Sequence, residues 1–317
     1  MPLPAPTFLH LNLEAQSFEV KSYEELVPKV GGLGWALPLF EKFQEEEPVV
    51  FSIGPLNGIF PGASKTLALF RSPQTGGLAT ALGGGHLSRF LRFAGYQGIV
   101  ITGRSPRPVI ISIEGERINF KDASPLLELE VPKAFEQLFS SEGIPGRRSV
   151  LVSGPAAERG FSYAPLYIDE FFSFARGGLG RRFAEGNLKG LVITGAKSES
   201  IPDLRRYEEV FYSLIKQLKS YEELSRLGTL RNLTLEKKIS GVPSKNLRES
   251  NFEGEEPFGR DQGSLAMGNI VEKRVSCGGC PVGCIQLLRL GERLTPYDYE
   301  RVVALGPLLG LTKPEEV

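Results

Sequence analysis

The strongest chemical signal in this sequence is a cluster of three cysteines. Cys277, Cys280 and Cys284 are its only cysteines, and they lie within the string SCGGCPVGCIQ, a C-x2-C-x3-C array. Three thiolates on one compact loop can converge on a single inorganic centre. Gly278, Gly279 and Gly283 permit the tight backbone such a loop needs, and Pro281 stiffens it. A [4Fe–4S] cluster takes four ligands, usually thiolates, and the fourth can come from far away in sequence. Structural zinc also wants four closed ligands, and neither histidine follows the cysteines at finger spacing. A thioredoxin-type C-x2-C would not need the third cysteine. Spacing alone therefore favours iron–sulfur over zinc. A zinc-binding structural module and three reduced structural cysteines stay open as alternatives.

Other residues carry weaker signals. Glycine turns recur at GGLG (31–34), LGGG (82–85) and RGGLG (176–180); such turns occur in every β-rich domain. His10 reads as an ordinary strand residue. His86 follows three glycines, where a loop histidine is more often merely polar than cofactor-facing. Arg181 and Arg182 could face phosphates or water, with equal weight. The run Glu45, Glu46, Glu47 reads as surface. Glu300, taken alone, reads as a solvated acid on a helix.

The elements that must position these residues change character along the chain. Residues 8–20 alternate apolar and polar around a polar break, the pattern of a hairpin. Ser22 with Glu25 three residues on predicts the opening of a short helix. Within 48–60 a buried strand is predicted to run into a Gly-Pro turn, and further strands are predicted at 66–70 and 98–102, within 108–123, at 149–153 and at 188–195. Residues 1 to about 196 thus read as many short strands with glycine turns. The linker AKSESIPD follows, and the period then becomes helical: Leu204, Tyr207, Phe211, Leu214 and Leu218 share one face of a helix capped by Asp203. The predicted fold class is α+β. A β-rich N-terminal domain of two sheets (1–198) precedes a truncated, mainly helical domain (199–317) that holds the cysteine loop.

Composition sets outer bounds. The 317 residues carry 37 Lys+Arg against 37 Asp+Glu, and 41% are hydrophobic. That balance gives no electrostatic case for nucleic acid or an anionic membrane as partner. The N-terminus lacks a basic region followed by an apolar one, and no stretch approaches 18 uninterrupted apolar residues, so the expectation is a cytoplasmic protein with no membrane span.

Read in order, the motifs resemble those of the aldehyde ferredoxin oxidoreductase family. GPLNG (54–58) and RSPQTGG (71–77) resemble GPLTG…KSPLTG. FAGYQGIVITGRSPRPV (93–109) resembles FAGYDxIxxxGKxxKPV, and SGPAAE (153–158) resembles SIGPAGE. RGGLG…NLKGLVITG (176–195) resembles RGGVGAVMGSKNLKAI, and VPSKNL (242–247) resembles a PxxNF segment. CGGCPVGC (277–284) resembles CxxCPxGC, and TPYDYERVVALG (295–306) resembles GPEYExxxALG. The resemblance spans nearly the whole chain. It departs at Leu33 and Phe172, where the family has arginines, in LGGG for NSGG, and in TPYDYE for GPEYE.

The resemblance implies a β-sheet platform under two pterins that hold tungsten, or molybdenum in some relatives, and a nearby [4Fe–4S] cluster that passes electrons to ferredoxin. The reaction it implies is oxidation of an aldehyde, with water, to a carboxylic acid. On that likeness Cys277, Cys280 and Cys284 match three cluster ligands. Lys65 stands where an arginine bridges pterin and cluster. Leu82 and Ser173 match positions whose backbone carbonyls help hold a magnesium between the pterin phosphates. Gly84 matches a glycine lying against the pterin, and Arg176, Gly177 and Gly178 match the RGG turn. Glu300 matches an active-site glutamate. The fourth cluster ligand, an active-site histidine and the DxxGL-type pterin motifs of the family's C-terminal half have no counterpart. The expected partners are therefore ferredoxin and a C-terminal half or partner subunit, with a homodimer possible. The alternative implied is a non-catalytic scaffold or electron-transfer subunit that keeps the fold without complete pterin chemistry.

Overall fold

The computed structural model describes residues 4–142, 147–233, 241–252 and 271–311. It divides into two compact units. The first comprises residues 1–207 with Cys277–Gly279, and the second residues 208–276 with 280–317.

Unit one holds two six-stranded sheets. The first is built from β1 (Thr7–Asn12), β2 (Ser17–Ser22), β3 (Val49–Ser52), β4 (Thr66–Arg71), β5 (Leu78–Gly83) and β6 (Gly98–Thr102), in the order β2-β1-β6-β3-β4-β5. The predicted hairpin of residues 8–20 is β1 and β2, antiparallel with Leu9 opposite Val20. Between β2 and β3 lies α1 (Leu33–Lys42), and between β5 and β6 lies α2 (Leu87–Ala94). Trp35, Leu39 and Phe40 of α1 close over Phe8, Val50, Leu69 and Val100 on one face of the sheet. Burying several large side chains in this way contributes about 2 kcal/mol each.

The second sheet is built from β7 (Val109–Glu114), β8 (Arg117–Asp122), β9 (Arg148–Ser153), β10 (Leu166–Ile168), β11 (Phe172–Phe174) and β12 (Leu188–Thr194), ordered β11-β10-β9-β12-β7-β8. Helices α3 (Val131–Ser141), α4 (Pro155–Glu158) and α5 (Leu179–Glu185) connect its strands. Every residue of β9 and β12 is buried. This fits the short apolar runs at their centres, residues 150–152 and 191–193, which do not alternate with polar residues.

Two local predictions yield to tertiary contacts. Ser22 does not cap a helix. Its hydroxyl hydrogen-bonds the Thr7 hydroxyl across the β1–β2 pair, and a 3-10 helix begins only at Glu24. The residues from Gly76 to Gly85, whose glycines predict a loop, are strand from Leu78 to Gly83: this is β5, an edge strand paired to β4 from Thr66↔Gly83 to Arg71↔Leu78.

Unit two contains α6 (Leu204–Lys219), which starts in unit one, then α7 (Glu222–Leu227) and α8 (Tyr299–Leu305). The predicted cap of α6 is present: Arg206 N–H donates to Asp203 Oδ1 at 2.9 Å. A three-stranded antiparallel sheet, β13 (Val271–Val275), β14 (Ile285–Leu290) and β15 (Arg293–Tyr297), brackets the cysteines. A small core of Leu233, Val242, Phe252, Val302 and Val303 closes this unit. Among the described residues no helix is long and apolar enough to cross a membrane.

Candidate functional site

The end of β5 is the focus of unit one. Gly83, Gly84 and Gly85 follow one another there, and all three are buried. A Cβ on Gly84 would stand 2.9 Å from Cys277 Sγ and 2.9 Å from the Phe172 ring, so a side chain at this position would push the thiol away. The Gly278 N–H donates to the Gly85 carbonyl at 2.9 Å, which ties the cysteine loop to the same turn. Phe172, where the related motif has an arginine, thus packs as an apolar wall against Gly84.

Asp169 fixes this turn from the second sheet. It occupies the β10–β11 hairpin turn at φ 48°, in the left-handed region, and is 12% exposed. Its Oδ2 accepts the His86 backbone N–H at 2.6 Å and faces His86 Nδ1 at 3.2 Å. Its Oδ1 accepts from the Ser149 hydroxyl at 2.8 Å and the Val150 N–H at 3.0 Å. One carboxylate therefore fastens the end of β5 to β9. His86 is accordingly more than a polar loop residue, since its ring is held by a carboxylate partner.

The residues singled out in the sequence fall into three places. Lys65 immediately precedes β4, whose first residue Thr66 pairs with Gly83, so Lys65 and Gly84 share one end of the β4–β5 pair with Cys277. Leu82 lies one residue inside that end and is 61% exposed. Lys65 is exposed, and its side chain has no hydrogen bond or ion pair among the described residues. Arg176, Gly177 and Gly178 lie at the opposite end of the same strands. The Ser72 hydroxyl donates to the Gly177 carbonyl at 2.9 Å, and a Cβ on Gly177 would meet Phe70 and Ala79. A six-residue strand spans about 20 Å, so the structure separates Lys65 from the RGG turn. Arg176 is exposed and, among the described residues, also unpaired. Ser173 sits between the two ends, in β11 opposite Tyr167.

The third place is in unit two. Cys280 and Cys284 belong there, as does Glu300, exposed in the first turn of α8. That helix is capped by Asp298, which accepts from the Arg301 N–H at 3.0 Å. All three cysteines are free thiols of intermediate exposure. Among the described residues no group of three or more His, Cys, Asp or Glu side chains is gathered to hold a metal ion.

The residues can be weighed against the groups expected of them. The loop offers sulfur, the donor iron–sulfur clusters take, but three thiols fall one short of four. For a phosphate-bearing planar ligand the match is closer. Two cations, Lys65 and Arg176, both unpaired among the described residues, flank an exposed apolar strand.

Two motif residues serve the fold instead. Glu158 of SGPAAE and Lys189 of NLKG form a buried ion pair, with the Lys189 side chain 1% exposed. The second Glu158 oxygen accepts the Glu128 N–H at 2.7 Å.

Two six-stranded sheets followed by helices define an α+β class of protein, with a thiol seated on a glycine turn of the first unit. Residues 8–195 match the family described as aldehyde ferredoxin oxidoreductase, N-terminal domain, and residues 207–317 match that family's domains 2 and 3. The chain belongs to the aldehyde ferredoxin oxidoreductase family. It is 28% identical to the tungsten-containing aldehyde ferredoxin oxidoreductase of Pyrococcus furiosus, over 96% of this chain and 52% of that protein. It is 29% identical to the enzyme of the same name from Pyrococcus abyssi, over 86% of this chain and 46% of that one. A 25% match joins it to the WOR-like subunit of an aliphatic sulfonate oxidoreductase from Pyrococcus furiosus, over 94% and 52%. Among solved structures, the active site complex BamBC of benzoyl coenzyme A reductase, in complex with 1,5-dienoyl-CoA, shares the fold. Its TM-score is 0.81 at 22% identity, over 96% of this chain and 50% of that chain. The chain spans about half the length of the curated relatives it matches.

Proposed function

We propose that this chain supplies the pterin platform and cluster loop of an aldehyde:ferredoxin oxidoreductase. The overall reaction converts an aldehyde and water to a carboxylic acid, two protons and two electrons. The observation that carries this reading is the seat of Cys277 on Gly84. It joins a cluster-type thiol loop to the glycine turn of a family platform whose two models cover residues 8–195 and 207–317. When bound, the tungsten- or molybdenum-pterin group supplies the two-electron redox chemistry.

The chain's own residues then have defined tasks. Lys65 and Arg176 hold anionic oxygens of the bis-pterin at opposite ends of the β4–β5 pair. The backbone carbonyls of Leu82 and Ser173 offer oxygen to a magnesium ion, the kind of donor that ion takes. Gly84, Gly177 and Gly178 let backbone approach the ligand. Cys277, Cys280 and Cys284 hold three corners of a [4Fe–4S] cluster, and a C-terminal half or partner subunit gives the fourth. Glu300 moves a proton at its carboxylate oxygens during hydration of the aldehyde. Ferredoxin takes the electrons.

Anaerobic purification from tungstate-supplied cells, together with the polypeptide that completes the family's length, tests this. Iron, tungsten and molybdenum are quantified and the reduced sample is examined by EPR. Tungsten or molybdenum together with about four irons per chain is expected. A folded protein with none of the three metals overturns the reading. Iron with neither tungsten nor molybdenum marks an electron-transfer scaffold, the second reading, which Lys65 and Phe172 favour because both replace arginines of the related motifs.

A further inference from the structure

We propose that Arg89, Leu56 and the exposed backbone at Gly279 form the docking surface for the electron acceptor, and that this acceptor is a small acidic one-electron carrier protein. The proposal rests on the reading that an iron–sulfur centre is held at Cys277. Arg89 lies in α2. It is exposed and, among the described residues, makes no hydrogen bond or ion pair. Its position is nevertheless fixed. The guanidinium carbon stands 5.2 Å from the centroid of the Phe93 ring. A Cβ on Gly278 would lie 3.3 Å from Arg89 Cβ and 3.5 Å from its Cδ, so the arginine stem runs along the backbone next to Cys277. The following residue, Gly279, is exposed, and a Cβ there would meet nothing within 4 Å. The loop therefore reaches the surface one residue from a free cation.

The GPLNG motif supplies an apolar contact on the same helix. A Cβ on Gly58 would lie 3.7 Å from Arg89 Cα, so the turn packs on α2. Asn57 holds the turn: its Oδ1 accepts the Gly54 N–H at 2.8 Å, and its Nδ2 donates to the Lys65 carbonyl at 3.0 Å. Arg92 donates to the carbonyls of Gly54 and Pro55 at 3.0 and 2.9 Å. On this fixed turn Leu56 is 53% exposed.

Charge selects the occupant. Two acids bonded to the neighbouring segments are engaged elsewhere: Asp169 with His86, Ser149 and Val150, and Glu199 with the buried Arg92 at 2.8 Å. Neither neutralises Arg89. The chain as a whole has no net charge, so a local cation, not the overall field, decides which carrier is drawn to the loop. Redox partners meet through small, transient interfaces, and charge governs how fast they find each other. A carboxylate-bearing surface meets Arg89 favourably, and a basic one is repelled. At each encounter one electron leaves this protein and one oxidised carrier is reduced, with no proton moved. Two encounters clear the two electrons of one aldehyde.

The test uses the holoprotein, this chain together with the polypeptide that completes the family's length, and an acidic two-cluster ferredoxin as probe. Binding of the oxidised ferredoxin is measured by titration calorimetry at low and high salt. Its reduction during aldehyde oxidation is followed in parallel, with benzyl viologen, a small cationic dye, as reference acceptor. Arg89→Glu is expected to weaken ferredoxin binding and slow ferredoxin reduction about tenfold at low salt and to flatten the salt dependence. Dye reduction and iron content stay at the wild-type level. Arg89→Gln gives a smaller loss, and Arg117→Glu, on β8 of the second sheet, gives none. Iron-loaded Arg89 variants that bind and reduce ferredoxin as wild type does overturn the proposal, and so does wild-type binding that ignores salt. Arg89 variants that lose dye reduction to the same extent show a structural role and overturn it too. A wild-type holoprotein without iron overturns the earlier reading and this proposal with it.

Discussion

At the scale of single residues, what a reader of the sequence can see is side-chain type. The cysteine loop announces itself because thiols are scarce in this chain. Asp169 does not, because everything that defines it lies elsewhere: its donors come from residues 86, 149 and 150, and nothing in YIDEFF foretells them. Removing the carboxylate leaves buried donors at Ser149 and Val150 without a partner. Asp169→Ala is therefore expected to cost about 2 kcal/mol or more, read from urea unfolding. The Glu158–Lys189 pair was visible only as motif letters, and burial gives it a structural meaning. Lys189→Met strands Glu158 without its counter-charge and should cost about 3 to 5 kcal/mol, whereas replacing both partners with apolar residues should cost far less. His10 makes a pH-dependent contribution. Its Nε2 lies 2.9 Å from the Tyr23 hydroxyl, and its ring packs against Phe43. Burial, followed by the nearby Lys21, lowers its pKa from 6.5 to about 4. The fold thus favours the neutral ring. Its contribution is whole above pH 6.5 and is lost as pH falls from there toward 4. Urea midpoints measured between pH 7.5 and 4 should show this loss, and His10→Gln should flatten that part of the profile.

At the scale of elements, strands were legible where one face is wet. β8 shows its alternation plainly, with Ile118 and Phe120 half-buried between exposed neighbours, while its partner β7 is buried along nearly its whole length. Helix α1 was harder to see, since it opens on glycines and contains Pro38, both signs of a turn. Its helical state comes from packing Trp35 and Leu39 onto the sheet, a tertiary effect that overrides local propensity. β5 was hidden for a related reason, because glycine and threonine in an edge strand resemble a loop. The RGG turn can be dissected by substitution. A Cβ on Gly178, at φ 77°, would lie 1.8 Å from the Ser162 carbonyl oxygen, while a Cβ on Gly76, at φ 70°, meets nothing within 4 Å. Gly76→Ala should cost about 1 kcal/mol from backbone conformation alone. Gly178→Ala should cost clearly more, about 2 kcal/mol or above, since steric overlap is added. Equal losses in thermal or urea melts would show that the turn simply shifts aside.

At the scale of the molecule, the change of period near residue 200 located the passage from sheets to helices, but not the sheet that brackets the cysteines or the return of the chain to unit one. Every strand of the two large sheets lies between Thr7 and Thr194. A fragment of residues 1–203 is therefore expected to fold by itself, with a single cooperative urea transition; a molten, dye-binding product would refute this. The return has a consequence in time. Residues 208–276 intervene before Cys277–Gly279 rejoin the first unit. Closing so long an excursion costs an entropy that grows only slowly with its length, but the chain needs a finished surface to close against. As the ribosome releases the protein from its N-terminus, the glycine turn after β5 is complete well before its thiol is synthesised. The berth precedes its occupant: when Cys277 emerges, the turn that receives it has already set.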